Sequence, residues 1–183
     1  EGAKGGGGGD GGLGIDVRSE FPDIAYWRAD LVSDDNGVIT FTVNLPDNLT
    51  TWRLAAKAVT ADTKVGNATH DIVATKDLQV RPLVPRFFTA GDRVNIGATV
   101  VNATTESLRD GVLSLQVEGA TISGENDPLT FDLPAGEPLQ SRDHWLIEVD
   151  PFSTHVVITF TAVATSTEAN EMLADAVRLA IPV

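Results

Sequence analysis

Ser141, Asp143 and His144 bring a hydroxyl, a carboxylate and an imidazole within four positions of one another. A nucleophilic triad needs those three groups, with the carboxylate orienting the imidazole that takes the hydroxyl proton. The segment leads into a strand pattern, and neighbouring residues on a strand face opposite sides. Asp143 and His144 therefore cannot readily pair, and no catalytic residue is expected. His70, His144 and His155 are widely spaced and do not form the His-x-x-x-His pair of a zinc helix, so no metal site is expected either. The chain has no cysteine, which removes disulfides, thiolate catalysis and Cys-ligated zinc.

Four further patterns each have a chemical reading and a plainer one. Asp34-Asp35-Asn36-Gly37 carries acids like a calcium loop but lacks the terminal glutamate of that pattern, and Asn-Gly suits a type I′ hairpin turn. Lys4 precedes a glycine run instead of following it into a helix, so residues 1–14 read as a flexible linker and not a phosphate loop. Asn48-Leu49-Thr50, Asn67-Ala68-Thr69 and Asn102-Ala103-Thr104 match a glycosylation pattern short enough to arise by chance, and Asn48 fits a turn better. Trp27, Trp52 and Trp145 could form an exposed ligand platform. Trp52, however, shares a strand face with Leu54 and Ala56, which points to a core.

The elements that would hold these residues are strands. Tyr26–Val32 and Val38–Leu45 flank the Asp34–Gly37 turn, and Ile39, Phe41, Val43 and Leu45 alternate with polar neighbours. Pro46-Asp47-Asn48 breaks the run with turn chemistry. Thr51–Thr60 alternates again, Asp62–Gly66 reads as a loop, and Ile72–Val80 as a further strand. Pro82 and Pro85 oppose a continuous central strand. Beyond them Val94, Ile96, Ala98 and Val100 alternate, followed by strand patterns at 112–117, 129–133, 145–149, 156–165 and 176–181. Turn clusters lie at 124–128 and 134–136, and Ser166–Ala174 reads as a loop or short turn. Short strands at this spacing predict an all-β fold of antiparallel β-sandwich modules, fibronectin- or immunoglobulin-like, behind a disordered Gly-rich N-terminal segment. The expected division is a linker at 1–19, a β-module at 20–81 and a second sandwich at 82–183.

The 183 residues carry 13 basic and 26 acidic side chains, a net charge of −13, which argues against nucleic acid and anionic membrane surfaces as partners. The acids are scattered and describe a soluble surface. No run approaches the length of an apolar membrane span, and no signal peptide is apparent. The first residue, Glu1, suggests an excised piece of a longer chain.

Phe21–Trp27 (FPDIAYW), Leu45–Arg53 (LPDNLTTWR), Lys76–Phe87 (KDLQVRPLVPRF) and Gly91–Val94 (GDRV) occur in this order. The sequence resembles, over roughly residues 20–102, the segment after the bait region of bacterial alpha-2-macroglobulins, a protease-trapping family. The resemblance implies macroglobulin-like modules: the end of the bait-bearing module, then the next one. It implies a non-enzymatic frame within a broad-spectrum endopeptidase inhibitor triggered by bait cleavage. Expected partners are target proteases, met through the full-length parent, and the other macroglobulin-like modules and thioester-type domain of the same chain. No cofactor is implied, and the expected location is extracytoplasmic. The family's thioester motif needs a cysteine, so capture would not reside here.

The family-like structural positions are Phe21, Pro22, Asp23, Tyr26, Trp27, Leu45, Pro46, Asp47, Asn48, Thr51, Trp52, Arg53, Pro82, Pro85, Arg86, Gly91 and Asp92. Tyr26 and Trp27 are the expected interface pair, since neighbours on a strand cannot both face inward. If residues 20–80 complete an interrupted module, an uncovered edge would favour self-association. The alternative reading is a cell-surface adhesion or carbohydrate-binding sandwich, which would display an exposed aromatic row.

Overall fold

The structure, a computed structural model, describes residues 14–124 and 126–183. The expected disordered glycine run lies almost wholly outside them, as does Glu125 of the expected 124–128 turn. The described residues contain strands and no helix, so none is long and apolar enough to cross a membrane. The chain divides into one unit of residues up to Arg18 plus Asp77–Val183, and a second of Ser19–Lys76.

The larger unit is the expected β-sandwich. One sheet has the order β1 (Val17–Arg18), β12 (Met172–Pro182), β11 (His155–Ser166), β6 (Leu108–Glu118) and β8 (Leu129–Leu133). The other runs β4 (Leu78–Leu83), β5 (Arg93–Asn102), β10 (Trp145–Val149) and β7 (Ala120–Ser123), with β9 (Pro138–Gln140) also pairing β5. Every pairing is antiparallel except the short parallel β1–β12 contact.

Alternation decides which residues fill the core. Along β11, Val156, Ile158, Phe160, Ala162 and Ala164 are buried while the residues between them are half-buried. β5 turns Ile96, Ala98 and Val100 inward, and β10 turns Trp145, Ile147 and Val149 inward. The Trp145 and Phe160 rings meet at 5.7 Å, one from each sheet. Full burial of each large apolar side chain contributes about 1.5–3 kcal/mol.

The sequence places β8 and β10 without error and most of β5, β6, β11 and β12; of the loop expected at Ser166–Ala174 only 167–171 lies outside strands, because Ser166 ends β11 and Met172–Ala174 open β12 in the long β11–β12 ladder. The division between units differs from the expected one. β4 crosses the expected 81/82 boundary, because Leu78 and Val80 are buried in the sandwich core. Pro82 sits in β4 opposite Ala98, and β4 is an edge strand, where a missing N–H is tolerated. Val17 and Arg18, expected in the linker, are strand residues.

The smaller unit departs further from expectation. Its ladder is one antiparallel pair, β2 (Thr51–Val59) and β3 (Val65–Val73). The expected loop at 62–66 closes to a tight turn and β3 follows at once, so Ile72 is the last residue but one of β3, which Val73 ends, instead of opening a strand through Val80. Tyr26–Val32 and Val38–Leu45 form no strand; period-two patterning yields a strand only where a partner ladder exists. The Asp34–Gly37 turn does form, with Gly37 N–H on the Asp34 carbonyl and Asp34 N–H on the Val38 carbonyl. Only Gly37 has positive φ (77°), so this is a type I turn with a left-handed glycine, not the expected type I′.

Candidate functional site

The residues between 141 and 144 do not assemble a triad. The Ser141 hydroxyl is buried and donates to the Ala98 carbonyl at 2.9 Å, while accepting the Ala98 N–H at 3.1 Å. It stitches the segment after β9 onto β5 and has no base beside it. The His144 ring lies edge-on to Trp145 at 4.5 Å, with Nε2 3.3 Å from the Asp127 carbonyl. Asp143 is exposed. His70 faces Leu54 across the β2–β3 ladder, and His155 opens β11 beside Thr154, so the three imidazoles do not converge.

The tryptophans do not line up either. Trp145 is core, whereas Trp27 is 78% exposed. Trp52 is half-buried, short of the core position expected for it, because its face of β2 lacks full cover: Leu54 and Ile72 on that face are exposed. Tyr26 stacks on Phe41 with ring centroids 5.1 Å apart, leaving Trp27 as the outward member of the pair.

The family-like positions separate into turns, cross-strand pairs and exposed side chains. Asp47 fixes the beginning of the smaller unit: its carboxylate accepts the Ser19 and Glu20 N–H groups at 2.7 and 2.9 Å, and its own N–H donates to the Glu20 carbonyl. Pro46 precedes it, half-buried, and Leu45 is exposed. Phe21 is half-buried, with Pro22 and Asp23 exposed beside it. Thr51 opens β2, and Arg53 makes a two-point ion pair with Asp71 on β3, at 2.8 and 2.9 Å. That guanidinium holds the Asp71 carboxyl below the usual aspartate range. Asn48 Oδ1 and Trp52 Nε1 are buried without a hydrogen-bond partner. In the larger unit, Gly91 (φ 79°) and Asp92 form a turn whose carboxylate accepts the Thr89 N–H at 2.7 Å. Pro85 is half-buried and Arg86 exposed on the loop before that turn.

Sequence reasoning missed the strongest polar contact of the sandwich. Arg18 on β1 donates Nε to Asp175 Oδ1 at 2.9 Å and Nη2 to Oδ2 at 2.6 Å. The same Nη2 reaches the Val80 carbonyl at 2.9 Å, and Val80 N–H donates to Asp175 Oδ2 at 2.8 Å. The side chains are 8% and 0% exposed. The available signal was Asp175 itself, a lone acid inside the apolar run of β12 that burial would oblige to find a cation. Among the described residues no group of acids and histidines could hold a metal ion.

The larger unit is thus a β-sandwich module in which buried Ser141 and Asn102 serve backbone contacts and Asp175 an ion pair, while the Trp145 Nε1 makes no hydrogen bond, and the smaller is an open strand pair. The model of the alpha-2-macroglobulin family matches residues 24–113, across parts of both units. An alpha-2-macroglobulin homolog from Nostoc sp. is 34% identical over 119 residues, covering 64% of this chain and 6% of that protein. The alpha-2-macroglobulin of Thermotoga maritima is 29% identical over 169 residues, covering 92% of this chain and 10% of that one. Trypsin-activated alpha-2-macroglobulin from Escherichia coli shares the fold, with a TM-score of 0.68 at 16% identity over 82% of this chain and 10% of its own. This chain belongs to the alpha-2-macroglobulin family. It spans a tenth or less of the length of these relatives.

Proposed function

We propose that this chain is a non-catalytic frame segment of a bacterial alpha-2-macroglobulin, lying after the bait region of a broad-spectrum protease trap. The observation that carries this reading is the family match, which runs through the Ser19–Lys76 unit and into β6 of the sandwich. Two features support it. The Ser141 hydroxyl is held by backbone and is not poised as a nucleophile. The strand pair β2–β3 keeps the apolar side chains of Leu54, Val59, Val65 and Ile72 exposed, as expected of a unit completed by other parts of a parent chain.

In this reading the segment holds geometry and transmits a rearrangement after bait cutting. Its partners are the neighbouring macroglobulin-like modules and the thioester-type domain of the parent, and through them the trapped protease. The parent acts outside the cytoplasm. The test is limited proteolysis of the full-length parent with several unrelated proteases, with cut sites read by mass spectrometry and shape followed by small-angle scattering. Cuts clustered upstream of the glycine run, with compaction, are the expected result. Scattered cuts with no change of shape would overturn the trap reading.

A further inference from the structure

Asn36 is the one asparagine of the chain followed by glycine. An asparagine side-chain amide lies within reach of the next residue's backbone nitrogen, and attack by that nitrogen closes a five-membered ring, which is why asparagine is thermolabile. A side chain on the attacking residue crowds the ring, and glycine has none. Both residues are exposed, and a Cβ built on Gly37 would meet nothing within 4 Å, so the ring has room to form. Asp110-Gly111 could close the same ring but lacks that room. Gly111 is buried opposite Phe131 in the β6–β8 ladder, and a Cβ there would lie 2.3 Å from the Phe131 ring. Asn67 and Asn95 lie within β3 and β5, and the buried Asn102 donates its amide to the carbonyls of Glu106, Leu133 and Pro134.

Asp34 clamps the turn that holds Asn36. Its carboxylate Oδ1 accepts the Asn36 N–H at 2.9 Å and the Val38 N–H at 2.8 Å. Its carbonyl accepts the Gly37 N–H at 3.0 Å, and its own N–H donates to the Val38 carbonyl at 2.9 Å. The nitrogen that must attack is thus the one the closed turn engages, and ring closure proceeds only from the open turn. That opening is local, because Tyr26–Val32 and Val38–Leu45 on either side have no ladder to break.

We propose that Asn36 is a site of spontaneous deamidation whose rate is set by the Asp34 clamp. The Gly37 nitrogen gives its proton to solvent base and bonds to Asn36 Cγ; the bond from Cγ to the amide nitrogen breaks, and ammonia leaves with a proton from water. Water then opens the succinimide at either carbonyl, giving aspartate or isoaspartate. One water is consumed and one ammonia released, with no change of oxidation state. Either product places a new carboxylate beside Asp34 and Asp35, and isoaspartate lengthens the main chain by one carbon inside the Asp34–Val38 turn. The inference rests on the contacts of this turn and stands apart from the functional reading above.

The test uses the full chain, held for weeks at physiological pH and temperature. Digestion and mass spectrometry at intervals read the conversion of each asparagine from amide to acid. Conversion at Asn36 should lead that at every other asparagine and yield two isomeric products separable by chromatography. It should run faster in denaturant, where the clamp is absent, than in the folded chain. In the folded state Asp34→Ala should speed it about fivefold or more, for the loss of two carboxylate contacts. Asp34→Asn keeps an acceptor oxygen and should stay closer to the wild-type rate. An Asn36 that remains an amide in the folded chain over that time would overturn the site. Equal rates in the folded wild type and in denaturant would overturn the role of Asp34, a comparison that stands even where a variant does not fold.

Discussion

Gly97 and Ser141 touch backbone to backbone. A Cβ on Gly97 would lie 1.7 Å from the Ser141 carbonyl oxygen and 2.6 Å from its carbonyl carbon. The absent side chain lets the segment after β9 lie flat on β5, where the Ser141 hydroxyl both donates to and accepts from Ala98. Gly97→Ala should therefore destabilise the sandwich by about 3 kcal/mol or more, since the obstruction is backbone and cannot rotate away. Ser141→Ala keeps the close approach and loses only the buried hydroxyl contacts, roughly 1–2 kcal/mol. Urea denaturation of the two variants checks the order, and equal effects would contradict it.

The β2–β3 turn carries the opposite kind of error. Thr63 sits at φ 65°, a left-handed conformation that β-branched residues disfavour. The other hairpin-like turn of this unit has Gly37 in the corresponding place, at φ 77°. Thr63→Gly is expected to stabilise the strand pair by up to about 1 kcal/mol, the relief of strain less the entropy of glycine. Gly37→Ala should weaken its own turn by a similar amount. Slower exchange of the β2–β3 amides in Thr63→Gly is the readout, and faster exchange would refute the assignment.

Glu106 links the loop after β5 to the end of β11. It accepts the Ser166 hydroxyl and, at 3.4 Å, the Ala169 N–H; these contacts, the hydroxyl foremost, hold its carboxyl below the ordinary value. A depressed folded pKa means the contribution to stability is present above the ordinary glutamate value and is lost as pH falls through the lowered one. Stability measured from pH 6 down to pH 3 should fall less steeply in Ser166→Ala than in the wild type. Parallel profiles would show that this contact does not contribute.

The smaller unit should associate. Among the described residues β2 and β3 pair only each other, and Val59 and Val65 at their shared end are 72% and 82% exposed. Unpaired edges with apolar tips recruit further strands. Sedimentation across the micromolar to millimolar range should show concentration-dependent dimers or larger species, reduced by Val59→Lys and Val65→Lys. A strictly monomeric wild type would remove this expectation.

Legibility in the sequence followed the presence of a partner. β5, β10, β11 and β12 were readable because both of their faces are decided by a core: Ile96, Ile147, Ile158 and Ile181 each fall on the beat of the alternation. Val38–Leu45 has the same beat and no ladder, so periodicity promised a strand that pairing did not supply. β7 and β9 are too short to show a period, and β1 is two residues beside a glycine run. The turn at Asp34–Gly37 was legible in place but not in type, because Asn-Gly accommodates a left-handed residue at either position. Asp175, a lone acid in the apolar run of β12, signals locally that a cation is needed, but nothing local points to Arg18, 157 residues away.

Arg18 and Val80 are hydrogen-bonded neighbours, although the whole Ser19–Lys76 unit lies between them in sequence. The smaller unit therefore leaves and rejoins its host at adjacent points, as an inserted cassette does. A change of length within it leaves the order of the host's strands, β1 before it and β4 after it, as it is. Two lineages could then differ greatly in this insert while keeping the same strand order in the host sandwich.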